Sequence, residues 1–395
     1  MMRGWITLKI PLIIFACTLG YGFILLTGDR AVDKSANQLI AVSYSNISGW
    51  EDDDHARSFA AFHRSCARIV KAARAGKEKN DPLTDICKAA LALGENIESA
   101  AARAFFESRF TPHKFRGDAL AGFVTGYFEP ELMGARTRSE RFFVPVYSVP
   151  DDLVQLYGDE TRAARNHETT AVRETPDGRV PYYDRKEIEQ GVLNGRGLEI
   201  LYLEDWADAF YMHIQGSGRV ELIEGGHIRL GFAAKNGHSY TAIGKELIER
   251  GAIAPDKMSM YAVRNWLDTN PSEARELMWR NRSYIFFREL GLAQAAFGPI
   301  GAQGVALSQN RSLAVDTSLH TLGTPIWVNA PSFDLLGQLG FSQLMIAQDA
   351  GSAIKGPQRG DIFFGTGKLA GAIAGATRHK AGFTILLPKT DTPGS

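Results

Sequence analysis

This 395-residue chain predicts a mainly β fold with helices: a barrel-like β core, a smaller β domain inserted into it, and N-terminal helices. Three observations predict it. Apolar residues recur at helical spacing from Asp54 to Arg74, then through ICKAALAL and ESAAARAFFESRF, so the first third is helical. From Gly122 onward, short β-branched and aromatic runs alternate with Gly and Pro turns. Runs of the same kind return after a helical stretch, from Ser283 to the end, and the strands on either side belong to one core if the middle segment is an insertion. At this length two domains are the natural prior.

The chain opens on Arg3 and Lys9, then an apolar run from Ile10 to Leu26 closed by Asp29 and Arg30. Residues 1–30 read as a signal peptide or a membrane anchor, because a core helix does not begin a chain in this way. Cys17 lies inside the run and has a poor lipidation context, since apolar residues continue after it. Residues 31–48 are polar and read as a linker. Residues 50–137 hold the N-terminal helices and the first part of the barrel, with Asp81-Pro82 a good helix start. Residues 138–232 read as the inserted β domain, with FFVPVYSV, LEILYLED, AFYMHIQGSG and RVELIEGGHIRL as its clearest strands. Thr170 to Gly197 is charged and loop-like. Residues 233–395 add three helices, the first capped by Ser239 and ended by Gly251, and then the remaining strands: SYIFFREL, SLAV, PIWV, SQLMIAQ, DIFFG and FTILLP.

Charge excludes little but is useful once. Lys plus Arg number 44 and Asp plus Glu 44, so bulk charge supplies no footprint for nucleic acid. In the exported part Cys66 and Cys87 remain, an even number that fits a disulfide and equally fits two buried thiols. His213, His227 and His238 show no metal-ligand interval and read as surface or core residues; no metal and no cofactor is expected.

Four constellations carry chemistry. The first is a set of three aspartates: Asp316 ends the run SLAV, while Asp349 and Asp361 flank the Gly- and Pro-rich stretch of IAQDAGSAIKGPQRGDIFFG. Carboxylates at the ends of buried strands are costly unless hydrogen-bonded or useful, although a single Asp there is most often a turn former. The second is TGYFEPEL, whose Tyr127 and Phe128 offer flat faces to a sugar or fill a core. The third is IQGSGRVEL, where Gln215 and Ser217 sit between glycines that let a ligand approach the backbone. The fourth is AAKNGHSYTAIGKEL, where Lys235 precedes a helix start and adds charge to an anion-attracting terminus. There is no GxSxG elbow and no P-loop, which leaves carboxylate acid–base chemistry on an extended polar substrate.

In this order the motifs TGYFEPEL, IQGSGRVEL, LGFAAKNGHSYTAIGKELIERG, SLAVDTSLHTLGTPIWV and QDAGSAIKGPQRGDIFFGTGKLAGAIAG resemble the membrane-bound lytic murein transglycosylases of the MltA type, over roughly Phe123 to Pro388. The C-terminal part, about 300–390, is similar to the 3D domain, whose three aspartates would be Asp316, Asp349 and Asp361. The resemblance implies a double-psi β-barrel with glycan held between barrel and insert. It also implies non-hydrolytic cleavage of the MurNAc-β-1,4-GlcNAc bond of peptidoglycan to a 1,6-anhydro end. By motif, Asp361 would be the single general acid/base and Asp349 a supporting carboxylate. Asp316 would be structural, and Thr125, Tyr127, Phe128, Gln215 and Ser217 would line the groove. A periplasmic or outer-membrane location and other cell-wall enzymes as partners belong to the same expectation. Two rivals stand beside it: a glycoside hydrolase pairing Asp361 with Asp349 or Asp316 as base, and a glycan-binding barrel without turnover.

Overall fold

The computed structural model describes residues 39–76, 81–117, 120–156, 169–291, 298–335 and 338–389; the apolar run 10–26 lies outside them. Six strands close a barrel. In order around it they are Arg378–Pro388, Pro325–Leu335, Gln338–Ala350, Ser312–Val315, Arg359–Thr366 and Gly122–Glu129, and the last pairs back onto the first. Two of the six pairings are parallel, Ser312–Val315 with Gln338–Ala350 and Arg359–Thr366 with Gly122–Glu129. Alternate residues therefore point inward, and Val124, Leu313, Val315, Ile326, Val328, Met345, Ala347, Ile362, Phe364, Phe383 and Ile385 fill the interior. This is the closed barrel that the sequence predicted.

The helical first third is a cover for one outer face of that barrel. Helices His55–Arg74, Leu83–Leu93 and Ser99–Arg109 bury Phe59, Phe62 and Phe106, and with Trp50 they pack on the outward-facing Trp327, Leu344 and Ile346. Asp53 fastens this layer: its carboxylate takes both Arg311 terminal nitrogens, at 2.9 and 2.8 Å, and the Leu344 amide at 2.9 Å. Cys66 and Cys87, both fully buried, are joined as a disulfide between the first two helices. The expected linker 31–48 is already structured from Leu39, because Leu39–Ala41 pairs with the strand Phe110–Phe115 and Tyr44 donates to the Phe106 and Phe110 carbonyls.

The chain leaves the barrel at Glu129-Pro130. A second sheet follows, in the order Ile285–Glu289, His227–Lys235, Ser217–Leu222, Glu131–Ala135, Glu199–Leu203, Val144–Tyr147. It takes strands on both sides of the expected 138–232 boundaries, since the pairings of Glu131–Ala135 and Ile285–Glu289 lie within it. Glu129 joins the two sheets. Fully buried, it forms an ion pair with Arg229 at 2.8 Å and accepts from the Thr366 hydroxyl at 2.8 Å.

Four local expectations are corrected. AFYMHIQ is no strand: Trp206–Gln215 is an α-helix whose N-cap, Asp205, accepts from the Asp208 amide, and Ala209, Phe210, Met212 and His213 are its buried face. The stretch Thr170–Gly197 is not a loop; Ala171–Thr175 and Gly178–Pro181 form a hairpin, extended by Val154–Gln155. Ser239 caps nothing, because the helix begins at Ile243, although Gly251 at φ 70° does follow its end. Lys368–Ala376 is a helix where only strands and loops were expected. Glycines on both sides let it lie against the barrel: a Cβ on Gly371 of the helix would meet the Phe128 ring at 2.8 Å, and one on Gly126 of the strand would meet the Ala374 Cα at 2.8 Å.

Candidate active site

Strand register assembles the site. Across four adjacent strands, Asp349, Ala314, Asp361 and Thr125 stand directly opposite one another in a single row. Opposite residues in a sheet share a face, so both carboxylates project to the same outer side with small Ala314 between them. The parallel pair extends this face into a ladder: Phe123 stands opposite Arg359, Thr125 opposite Asp361, Tyr127 opposite Phe363. The interleaved Val124, Ile362 and Phe364 point into the barrel.

Asp349 owes its place to a bulge. Ile346 faces the helical layer and Ala347 the barrel interior, so simple alternation would send Asp349 inward. The register shifts by one residue at this point: Leu313 pairs with Ala347 but Ala314 with Asp349. Gln348 is the extra residue. It is fully buried and held by the Ala61 carbonyl, Ser65 and Ser312, and the shift re-aims Asp349 onto the outer face.

The two carboxyls have different partners. Asp349 accepts three hydrogen bonds: Oδ1 from the amides of Ala302 at 2.8 Å and Ala350 at 2.9 Å, Oδ2 from the Tyr127 hydroxyl at 2.8 Å. Burial raises its pKa, and those three donors oppose the rise. Asp361 accepts one, from the Thr125 hydroxyl to Oδ1 at 2.5 Å. Burial is the largest cause that pushes it up to about 6; Thr125 and Arg359 oppose and Asp349 assists. A carboxyl with that value exchanges a proton near neutral pH, which ordinary aspartates do not.

Asp316 lies elsewhere in the same barrel end. Its carboxylate accepts from the Ser318 hydroxyl at 2.7 Å, the Ser318 amide at 3.1 Å and the Gly356 amide at 3.0 Å, with Lys355 at 3.4 Å. The Ser318 hydroxyl is the first cause holding its pKa well below the usual range. It ties the loop after Val315 to the loop before Arg359.

The remaining expected residues divide. Tyr127 faces the row and also packs on Phe363, ring centroids 5.3 Å apart. Phe128, one residue on, turns to the opposite side and packs on the barrel core and the Lys368–Ala376 helix, so it is not brought to Asp361. Gln215 ends its helix and accepts the Phe128 amide at 3.0 Å, a contact that ties insert to barrel. Ser217 is buried in the second sheet opposite Gly231. Lys235 is half-buried; burial first, then the charge of Lys355, lowers its pKa. Of the three histidines, His213 and His238 are buried and His227 is exposed. Among the described residues no cluster of three His, Cys, Asp or Glu side chains could hold a metal.

One cavity borders this face and a second lies behind it, neither lined by Asp361. The first, of about 600 Å³, is lined by Arg68, Ala302, Gln303, Thr317 and His320 and reaches Asp349 through Ala302. The second, about 620 Å³ and apolar, lies among Phe128, Tyr211, Met260 and Gly371.

Comparison with known proteins decides the family. Residues 123–288 match the model of the MltA specific insert domain and residues 311–387 that of the 3D domain. The chain superposes on the crystal structure of a membrane-bound lytic murein transglycosylase from Agrobacterium tumefaciens with a TM-score of 0.79 and 35% identity, covering 89% of this chain and 98% of that one. The chain belongs to the MltA family. Membrane-bound lytic murein transglycosylase A of Escherichia coli K12 is 34% identical over 261 residues, which is 65% of this chain and 62% of that protein's length. A crystal structure of E. coli MltA with bound chitohexaose shares 26% identity at a TM-score of 0.63, over 89% of this chain and 92% of that one. In this MltA-family chain, sequence reading missed Arg359, Ala314 and the Ala302 amide. Arg359 was available to it, since a residue two before Asp361 on one strand shares its face.

Proposed function

We propose that this chain is a peptidoglycan lytic transglycosylase that cleaves the MurNAc-β-1,4-GlcNAc bond without water, with Asp361 as its single general acid/base. Family membership supports the reaction class, and the chitohexaose held by the E. coli relative supports an extended β-1,4 glycan as the ligand. The observation that carries the reading is the contrast between the two carboxyls. Asp361, raised to about 6 with one donor, is poised to give and take a proton. Asp349, held by three donors, has its lone pairs engaged and is a poor base for a water molecule.

In the first half-step protonated Asp361 delivers its proton to the glycosidic oxygen. The GlcNAc leaves as an alcohol while positive charge develops at the muramoyl C1, beside the carboxylate of Asp349. In the second, ionised Asp361 takes the proton of the C6 hydroxyl as that oxygen bonds to C1. The proton count closes and no water enters. The substrate supplies the nucleophile, so a second catalytic carboxylate at a fixed separation is not needed, unlike in hydrolytic glycosidases. Tyr127 and Lys235 are the residues of the original set that we assign to substrate contact.

The membrane-bound relatives and the leader-like residues 1–30 support a site of action in the cell envelope, with export through that segment. Mass spectrometry of digested sacculi tests the reaction. Anhydro-muropeptides should be released; reducing-end products, heavier by one water, would establish hydrolysis instead.

A further inference from the structure

We propose that Arg359 is a positioning residue which, through the Thr125 hydroxyl, dictates which oxygen of Asp361 carries the catalytic proton. The argument rests on the reading of Asp361 as acid/base and starts from donor arithmetic. A guanidinium can only donate, so its Nη2, 2.7 Å from Thr125 Oγ1, occupies a lone pair of that oxygen. A hydroxyl has one proton. Thr125 Oγ1 keeps a second lone pair, but its one proton turns away from the guanidinium charge and needs an acceptor, and the acceptor within reach, at 2.5 Å, is Asp361 Oδ1. A carboxyl whose Oδ1 is already accepting holds its own proton on Oδ2. Asp361 is thereby biased toward the Oδ2–H form, and after ionisation Oδ2 is the open acceptor for the C6 hydroxyl.

The guanidinium is itself fixed. Its Nη1 donates to the Gly360 carbonyl, and its plane lies over the Phe123 ring with 5.6 Å to the centroid. Using Nη1 and Nη2 on two different acceptors requires the planar fork of Arg, which the single ammonium of Lys lacks. Without Arg359 the Thr125 hydroxyl is free to turn and accept from Asp361, which places the acid proton on Oδ1, away from substrate.

Other charged or titratable groups bear on this carboxyl. Asp349 and the Tyr127 phenol share its face, and Arg378, opposite Thr125 in register, is exposed. The Arg359 charge opposes the rise in the Asp361 pKa and Asp349 adds to it. Removing Arg359 therefore moves the alkaline limb of the rate profile upward in pH while the rate itself falls, a combination that a loss of mere packing does not produce.

The experiment uses the purified full chain on peptidoglycan, following anhydro-muropeptide release against pH, with melting temperature as the folding control. R359Q should lower kcat roughly 10- to 100-fold with little change in KM, as expected for a displaced reacting group. Its alkaline limb should shift upward, and R359K should not restore kcat. T125V should match R359Q, T125S should retain most activity, and the double variant should be no worse than T125V, because both substitutions break one relay. A folded R359Q with unchanged kcat and unchanged limb overturns the inference, as do losses that multiply in the double variant. The two readings fail separately. An active D361N removes the proposed acid, whereas an inactive D361N beside a normal R359Q removes only the relay.

Discussion

Replacing Asp361 by Asn is the most searching perturbation, because activity and stability should move in opposite directions. Asn keeps the shape and still accepts from Thr125, but it cannot deliver a proton and take one back. Losing general acid–base assistance costs about 100- to 10,000-fold, roughly 3 to 5 kcal/mol in the barrier. In the proposed mechanism one residue serves both half-steps, so the loss should lie at or beyond the upper end of that range.

Stability follows from the raised pKa. Between its ordinary value of 3.8 and about 6, the folded state holds a proton on Asp361 that the unfolded chain has released. The penalty of burying the ionised form is absent below the lower value, grows through that window, and is full above about pH 6. A rise of roughly two units corresponds to about 3 kcal/mol at pH 7 as an upper bound. D361N should therefore melt several degrees above the parent at pH 7, with the difference vanishing near pH 4. The assay pairs anhydro-muropeptide release with thermal melts at both pH values. Near-normal turnover would end the single-acid mechanism, and equal melting temperatures at pH 7 would show that Asp361 is not held in a desolvated state.

Three further variants separate the neighbours of Asp361 from the helical layer. D349N should keep measurable turnover with its alkaline limb at lower pH, because the Asp349 charge helps to raise Asp361; a folded but inactive D349N would move the acid to that residue. Y127F removes one of three donors to Asp349, worth about 1.5–3 kcal/mol for a hydrogen bond to a charged group, and should lower melting temperature at pH 7 together with kcat. Replacing both Cys66 and Cys87 by Ala opens a loop of 21 residues' separation and should cost about 3 kcal/mol in urea unfolding, leaving turnover at 25 °C near normal; unchanged unfolding would show the bridge to be dispensable.

Much of the barrel was legible because buried strands read as short apolar runs bounded by turn signals, as in SLAV and DIFFG. The residues that misled did so for identifiable reasons. AFYMHIQ is a short apolar run that strand and helix templates share, and the deciding signal was the cap Asp205 just before it. The hairpin after Ala171 was announced by Thr175-Pro176-Asp177-Gly178, a turn sequence with a known mechanism. Lys368–Ala376 was hidden by its glycines, which weaken any helical reading, yet Gly371 is required by its contact with Phe128. Phe128 could have been separated from Tyr127 by alternation alone, since neighbours on a strand cannot both face one groove. The bulge at Gln348 was not legible, because it answers to Ala61, Ser65 and Ser312, which are distant in sequence.

That bulge bears on why three aspartates of one barrel end differ chemically. Asp316 is surrounded by hydroxyl and amide donors and a lysine, so ionisation is stabilised and the residue serves as a loop clasp. Asp349 is desolvated but meets three donors, two of them backbone amides that exist because the bulge turned it toward the Ala302 loop. Asp361 is desolvated with a single donor, whose orientation is set by Arg359. Donor count against burial thus grades the set from permanently charged to proton-exchanging. A substitution that straightened the strand at Gln348 should disturb Asp349 first, and through its charge and Tyr127 shift Asp361, without touching either carboxyl directly.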